Sequence, residues 1–217
     1  MSHRAWRGLG LGVLLALPAL WAGWQWQVLL GSGWSSWLGA NPVEATIHWS
    51  GLWAMRILIF TLALSPLAPL KPLAWLRGHR RLFGLAAFGY ATAHLLLYVG
   101  LDQGWALPAI LRELIKRWYL TLGISAWLIL VPLAVTSTRG WMIRLKKQWR
   151  ILHWGVYPAA ALAVTHEALV GKVLSTEAAV SISIVVLLAA LRLYGAARRR
   201  LPALKPRAMR DARPATR

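Results

Sequence analysis

Six apolar runs of about twenty residues, near 9–30, 49–70, 82–100, 119–136, 152–170 and 178–195, dominate this chain. A hydrocarbon core about 30 Å thick takes roughly 20 residues of helix per crossing. Lipid offers no hydrogen bonds to the backbone, so only helices and closed barrels cross it. A barrel needs many strands of alternating polarity, and no such alternation runs through the chain. The expected fold class is therefore all-α, an integral membrane bundle of six transmembrane helices. Hydrophobic residues make up 58% of the chain and charged residues 14%, where a soluble domain has about 25% charged. The 15 tryptophans fit the aromatic belts of a bilayer interface. The first run has Arg4 and Arg7 as a basic flank, as a signal peptide would. It continues to about Leu30 without a clear small-residue cleavage site, and reads as a retained helix.

The formal net charge is +19, which raises nucleic acid as a partner. The distribution argues against it, because the basic residues sit in short segments between apolar runs and form no patch interleaved with base-stacking aromatics. Arg4 and Arg7 precede the first run. Lys71, Arg77, Arg80 and Arg81 follow the second, and Arg139, Arg144, Lys146, Lys147 and Arg150 follow the fourth. A further basic cluster follows residue 195, whereas the opposite loops hold only Arg112, Lys116, Arg117 and Lys172. The positive-inside rule places both termini in the cytoplasm. The chain divides into a cytoplasmic flank at 1–8, a membrane domain at 9–195 and a basic tail at 196–217, expected to be disordered. No second domain, no internal repeat and no nucleotide-binding Rossmann unit is evident. Gly8-Leu9-Gly10-Leu11-Gly12 lacks the dinucleotide spacing and suits close helix packing.

There is no cysteine. That excludes disulfides, thiolate-held iron–sulfur clusters, thiolate haem and covalent c-type haem. Any metal is left to nitrogen, oxygen or thioether ligands. Ionisable residues within a span are costly and are functional candidates by default. His94 and His166 lie well inside the third and fifth runs, and His153 lies at the cytoplasmic mouth of the fifth. Both runs are oriented outward, with His94 about 18 Å and His166 about 21 Å from their starts at 1.5 Å per residue. Equal depth on two helices is what a b-type haem with two axial imidazoles requires. The bland alternative is a pair of interhelical hydrogen-bonding histidines.

His153 sits about 20 Å below His166, with the two rings roughly 220° apart on a regular helix. It is a candidate for a second, inner haem, although Pro158 between them can rewind the helix. His79 is a possible inner partner, and a solvated loop residue is the other reading. His48, in the outer loop, is within reach of a haem propionate or quinone headgroup, or is simply exposed. Arg56 lies about 10 Å below the outer face. It has a propionate or Glu167 as candidate partners, with snorkelling to the interface as the alternative. Trp149 and Tyr157 flank His153 at four-residue spacing, to cover a cofactor edge or to serve the interfacial belt.

In order and spacing, several segments resemble the bacterial MsrQ (YedZ) family. They are Asn41-Pro42-Val43 with His48 and Gly51, Arg80-Arg81-Leu82-Phe83-Gly84-Leu85 and Ala91-Thr92-Ala93-His94. Tyr119-Leu120-Thr121-Leu122-Gly123, Thr136-Ser137-Thr138, Trp149 with His153 and Tyr157, and finally His166 complete the set. The resemblance covers about 39–195. It implies a ferric-reductase-like transmembrane domain in which His94, His153 and His166 bind haem. It further implies electrons taken from membrane quinol or a cytoplasmic flavin reductase, an association with FMN, and location in the bacterial inner membrane. Delivery would be to a periplasmic molybdopterin-containing methionine sulfoxide reductase that repairs oxidised envelope proteins. The larger relatives carry two histidines on each of two helices, and here the third run offers only His94 securely.

The expected function is a haem b electron-transfer subunit, with one haem or two. His94, His166 and His153 are its metal ligands, and Arg56 and His48 its further cofactor contacts. No acid–base dyad is needed, because the cofactor carries the redox chemistry. The rivals are a free-standing ferric or cupric reductase and a non-redox small transporter. Six single spans without paired broken helices count against the transporter.

Overall fold

The computed structural model describes residues 3–66, 74–171 and 173–200. Lys71, Lys172 and the tail from 201 onward, with its expected disorder, lie outside the described residues. The described chain is helical, with no strand. In order come α1 (His3–Ser32), α2 (Pro42–Ala63), α3 (Arg80–Leu97) and α4 (Leu107–Lys116). After them come α5 (Trp118–Val135), α6 (Arg139–Leu145), α7 (Lys147–His153), α8 (Val156–Val170) and α9 (Thr176–Arg200). A 3-10 turn, Leu76–His79, leads into α3, and a π turn, Tyr98–Asp102, ends it.

By length and composition, Ala5–Ser32, Leu76–Asp102, Trp118–Val135 and Thr176–Arg198 are apolar enough to cross a membrane. The 22 residues of α2 reach about 33 Å, but the helix carries Glu44, His48 and Arg56. The fifth run is divided. Trp154 and Gly155 form a turn between α7 and α8, upstream of Pro158. The cause is steric, since a proline ring clashes with the carbonyl four residues earlier, here that of Trp154. Gly155 then has no room for a side chain, because a Cβ there would lie 2.9 Å from the Leu152 carbonyl and 3.3 Å from Ile129. The regular-helix phase between His153 and His166 therefore does not apply. At the other end, α9 runs to Arg200, past the expected boundary at 195.

Local chemistry sets the helix ends. Asn41 caps α2 by accepting from the Glu44 N–H at 3.2 Å, and its amide donates to the Glu44 carboxylate at 2.9 Å. Pro42 occupies the first turn, where its missing N–H costs nothing. Thr138 caps α6 through the Trp141 N–H. Lys146, at φ 47°, breaks α6 from α7.

α2 packs against α3, and α5 against α8, as the two most extensive helix pairs. The buried core lies between them and includes Leu58, Leu62, Phe83, Ala87, Leu133 and Ala160. α1 is secured by a polar splice at Pro18. The Tyr90 hydroxyl donates to the Leu15 carbonyl at 2.8 Å and accepts from the Ala19 N–H at 3.1 Å. A side chain from α3 thus fills the gap in the α1 ladder that a mid-helix proline opens. The outward faces of α1 and α9 are apolar, with Leu14, Leu20, Trp24, Val186, Leu187 and Leu193 all exposed. Such faces suit lipid rather than water.

Candidate functional site

His94 on α3 and His166 on α8 face one another, their ring centres 6.2 Å apart and their planes 77° apart. The matched depth expected of them is realised as a meeting of the two side chains. Each ring is fixed by the backbone of the neighbouring helix. His94 Nδ1 lies 2.8 Å from the Ile47 carbonyl of α2, and His166 Nδ1 lies 2.8 Å from the Tyr119 carbonyl of α5. A carbonyl only accepts, so Nδ1 of each ring carries the proton and Nε2 is left with its lone pair free, as a metal ligand would need it.

Two glycines make these contacts possible. A Cβ at Gly51 would stand 3.0 Å from two atoms of the His94 ring, and one at Gly123 would stand 2.9 Å from His166 Nδ1. Glycine is needed so that each imidazole can lie against the neighbouring helix. The glycine follows its carbonyl by four residues, one helical turn, in both places. Each histidine follows its carbonyl by 47 residues in both places. The α2–α3 and α5–α8 pairs therefore repeat one device of carbonyl, glycine and histidine. Gly51 and Gly123 are legible in the sequence at equal distances from the two histidines. Ile47 and Tyr119 act through the backbone and leave no side-chain signal.

The pair fits an axially ligated haem. A first-row metal sits about 2 Å from an imidazole nitrogen, so two rings ligating one ion from opposite sides have centres about 6 Å apart. A bare ion fits less well. Among the described residues no three His, Asp or Glu side chains gather to hold one, whereas a haem needs only axial ligands from the protein.

The other candidates lie apart. His153 stacks on Trp149, with ring centres 3.9 Å apart, and its Nδ1 lies 3.0 Å from the Trp149 carbonyl. Its Nε2 is buried without a partner, as are the Tyr157 hydroxyl and His79 Nε2. His79 Nδ1 lies 3.3 Å from the Trp75 carbonyl, so His79 is tied into its 3-10 turn. Arg56 meets Glu177 of α9 at 3.3 Å, not Glu167, and stacks over Trp53. His48, 64% exposed, stands 3.8 Å from the same Glu177. Both Glu167 oxygens are buried, with the Ser181 side chain beside the carboxyl.

Two cavities were not anticipated. One, of about 470 Å³, lies between the end of α3, α4 and the start of α5, where Tyr98, Arg112, Lys116, Arg117 and Tyr119 line it. The Tyr119 ring is 6.0 Å from that of His166, and Arg117 pairs with Glu113 at 2.6 Å. The second is a groove of about 430 Å³ between α2 and α9, with Glu167 at its side.

Residues 50–164 match the family of ferric reductase like transmembrane components. The chain is similar to the protein-methionine-sulfoxide reductase heme-binding subunit MsrQ of Xanthomonas axonopodis pv. citri. The identity is 48% over 149 residues, covering 69% of this chain and 68% of the relative. The subunit of the same name from Rhodospirillum rubrum is 46% identical over 164 residues, covering 75% and 79%. No solved structure matches.

Proposed function

The chain belongs to the MsrQ family and carries its ferric-reductase-like transmembrane component, and from that premise we propose that it is the haem-bearing electron conduit of a methionine sulfoxide reductase system. His94 and His166 hold a haem b through Nε2, while the Ile47 and Tyr119 carbonyls fix the tautomer and aim of each ring. The observation that carries this reading is the facing pair, with ring centres 6.2 Å apart and both Nδ1 atoms occupied by backbone carbonyls. When bound, haem supplies reversible one-electron transfer. The protein keeps the imidazoles neutral and immobile and surrounds them with apolar helix.

His153 is assigned to an inner haem or cofactor site. Its support is that Nε2 is buried without a hydrogen-bond partner, as are the Tyr157 hydroxyl and His79 Nε2, where buried polar atoms are usually bonded. His48 and Arg56 are assigned to the outer edge of the cofactor region, next to Glu177. The donor is membrane quinol or a cytoplasmic flavin reductase, with FMN as an associated cofactor. The acceptor is a periplasmic molybdopterin-containing methionine sulfoxide reductase. These assignments come from the family resemblance.

The same reading takes α2 and the α7–α8 segment as the fifth and sixth spans. Both termini then lie in the cytoplasm of a bacterium with the protein in its inner membrane, as the basic loops 74–81 and 139–150 favour.

The test is a dithionite-reduced minus oxidised visible spectrum of purified protein, with haem quantified per chain. The unsubstituted protein should give b-type bands, and His94→Ala or His166→Ala should lose most of its haem. Full retention in both variants overturns the ligand assignment. Electron delivery to soluble metal chelates with none to a periplasmic sulfoxide reductase would favour a free-standing metalloreductase instead.

A further inference from the structure

The segment joining α3 to α5 has the chemistry of a bilayer surface. Leu76–Asp102 and Trp118–Val135 are apolar enough to cross a membrane, and α4 connects their ends, at the boundary of lipid and water. Leu111 and Ile115, one turn apart on α4, form an apolar row that is 52% and 85% exposed. Arg112 and Lys116 form the next row, one residue or about 100° further round. Trp105 and Trp118 bracket the helix and are exposed, as residues of an interfacial aromatic belt are. α4 thus rests with Leu111 and Ile115 in lipid and turns Arg112 and Lys116 away from it.

That basic row lines the cavity of about 470 Å³, whose charge is divided between two ends. At one end Arg112 Nε donates to the Pro108 carbonyl at 3.2 Å, which leaves its outer nitrogens to other partners. Lys116 has no ion pair among the described residues. At the other end stands the Tyr98 hydroxyl, buried without a hydrogen-bond partner, with Asp102 and Glu113 as its acidic neighbours. Arg117 reaches the same end and meets Glu113 Oε2 at 2.6 Å, offsetting one of the two carboxylates. Gln103 donates to Asp102 Oδ2 at 2.7 Å but brings no charge. One end is therefore positive by two charges and the other negative by one.

This division narrows the occupant. A simple anion is drawn to Arg112 and Lys116 but repelled by Asp102, and a simple cation meets the reverse. A zwitterion satisfies both ends. A phosphodiester suits a guanidinium beside an ammonium, and a primary ammonium brings three donors for the carboxylates and the Tyr98 oxygen. A quaternary ammonium has no N–H to give. The exposed Leu111–Ile115 row, alongside the basic row, offers acyl chains a place, which a free headgroup does not need. The volume lies within the usual range of roughly 300–1,000 Å³ for small-molecule sites.

We propose that this cavity seats the headgroup of phosphatidylethanolamine, with its phosphate against Arg112 and Lys116 and its ammonium against Asp102, Glu113 and the Tyr98 hydroxyl. The site depends on the membrane placement of α3 and α5 and is independent of the electron-conduit reading.

The experiment uses the full, haem-loaded chain in detergent. Dioleoyl phosphatidylethanolamine, phosphatidylglycerol and phosphatidylcholine are added in turn, and bound lipid is counted by native mass spectrometry. One phosphatidylethanolamine per chain should bind about tenfold or more tighter than either other lipid, the size of one hydrogen bond to a charged group. Asp102→Asn should lower phosphatidylethanolamine affinity about tenfold and leave phosphatidylcholine unchanged. Arg112→Ala with Lys116→Ala should weaken all three lipids about tenfold or more. Arg144→Ala with Arg150→Ala removes the same charge at the opposite end of α5 and should leave phosphatidylethanolamine binding unaltered. Unchanged melting temperatures in the same detergent show that the variants are folded. Should a cavity variant fail to fold, the lipid preference of the unsubstituted chain still decides. Equal binding of the three lipids overturns the proposal, and tighter binding of phosphatidylglycerol does so by making the cavity an anion seat. Unaltered phosphatidylethanolamine binding in both cavity variants, or an equal loss in the Arg144 and Arg150 variant, also overturns it. Displacement of the lipid by glycerophosphoethanolamine as readily as by phosphatidylethanolamine would make this a site for a soluble headgroup and refute the lipid.

Discussion

Gly123→Ala tests the link between helix packing and haem ligation most directly. The new methyl carbon would lie 2.9 Å from His166 Nδ1, 3.0 Å from Cε1 and 3.2 Å from Cγ. Carbon contacts are comfortable from about 3.5 Å, so the ring must retreat by about 0.5 Å or α5 must part from α8. Either movement stretches the 2.8 Å hydrogen bond from Nδ1 to the Tyr119 carbonyl and turns Nε2 away from its aim. Overpacking of this kind costs about 1–3 kcal/mol, and loss of a support behind a metal ligand typically lowers affinity about 10–100-fold. Haem affinity should therefore fall about 10–100-fold, which corresponds to about 1.4–2.8 kcal/mol. Gly51→Ala should act in the same direction with a smaller effect, because only two ring atoms lie as near as 3.0 Å and the next is at 3.7 Å. Gly89→Ala, on the same helix as His94 and with nothing within 4 Å of its new methyl, is the neutral control. The assay is titration of haem-depleted protein with haem, followed by visible absorbance. Gly123→Ala binding haem with unaltered affinity and spectrum would refute the notch.

Two stability predictions accompany it. Tyr90→Phe removes the hydroxyl spliced between Leu15 and Ala19, and should cost about 1–3 kcal/mol by stranding a backbone donor and acceptor. An unchanged melting temperature in detergent would refute that role. Gly155→Ala drives a methyl to 2.9 Å from the Leu152 carbonyl and should destabilise the chain by about 1–3 kcal/mol. Thermal melting reads the loss, and haem bound between His94 and His166 should be retained, since the clash lies at the α7–α8 turn.

The helical class and the principal apolar segments were legible because hydropathy over twenty residues is a coarse signal that a few polar side chains do not erase. α2 shows where that signal thins. Glu44, His48 and Arg56 lower its hydropathy, yet the Asn41 cap, bonded to both the backbone and the side chain of Glu44, still starts the helix. The break before α8 lies upstream of Pro158, between the two histidines. A proline acts on the carbonyl four positions upstream, so the visible residue, Pro158, and the disrupted one, Trp154, do not coincide. The short α4 was missed because ten residues fall below the length at which apolar periodicity stands out from a polar loop.

The meeting of His94 and His166 was foreshadowed by two properties that sequence displays directly, residue type and depth along a helix. Their supports were hidden for a reason inherent in the chemistry. A hydrogen bond to a backbone carbonyl constrains the position of Ile47 and Tyr119 but not their side chains, so unlike residues perform the same task. A glycine notch is defined by what is absent, and 18 glycines in the chain conceal the two that matter until a facing ring is located. Duplication of this notch suits the proposed cofactor. A haem with two axial imidazoles presents equivalent requirements on its two faces: a neutral ring, its Nδ1 occupied, held against a neighbouring helix. One helix pair meeting those requirements, used twice, satisfies both faces without any further agreement between the two sequences. The structural repeat therefore extends only as far as carbonyl, glycine and histidine, which explains why side-chain comparison along the chain shows no repeat.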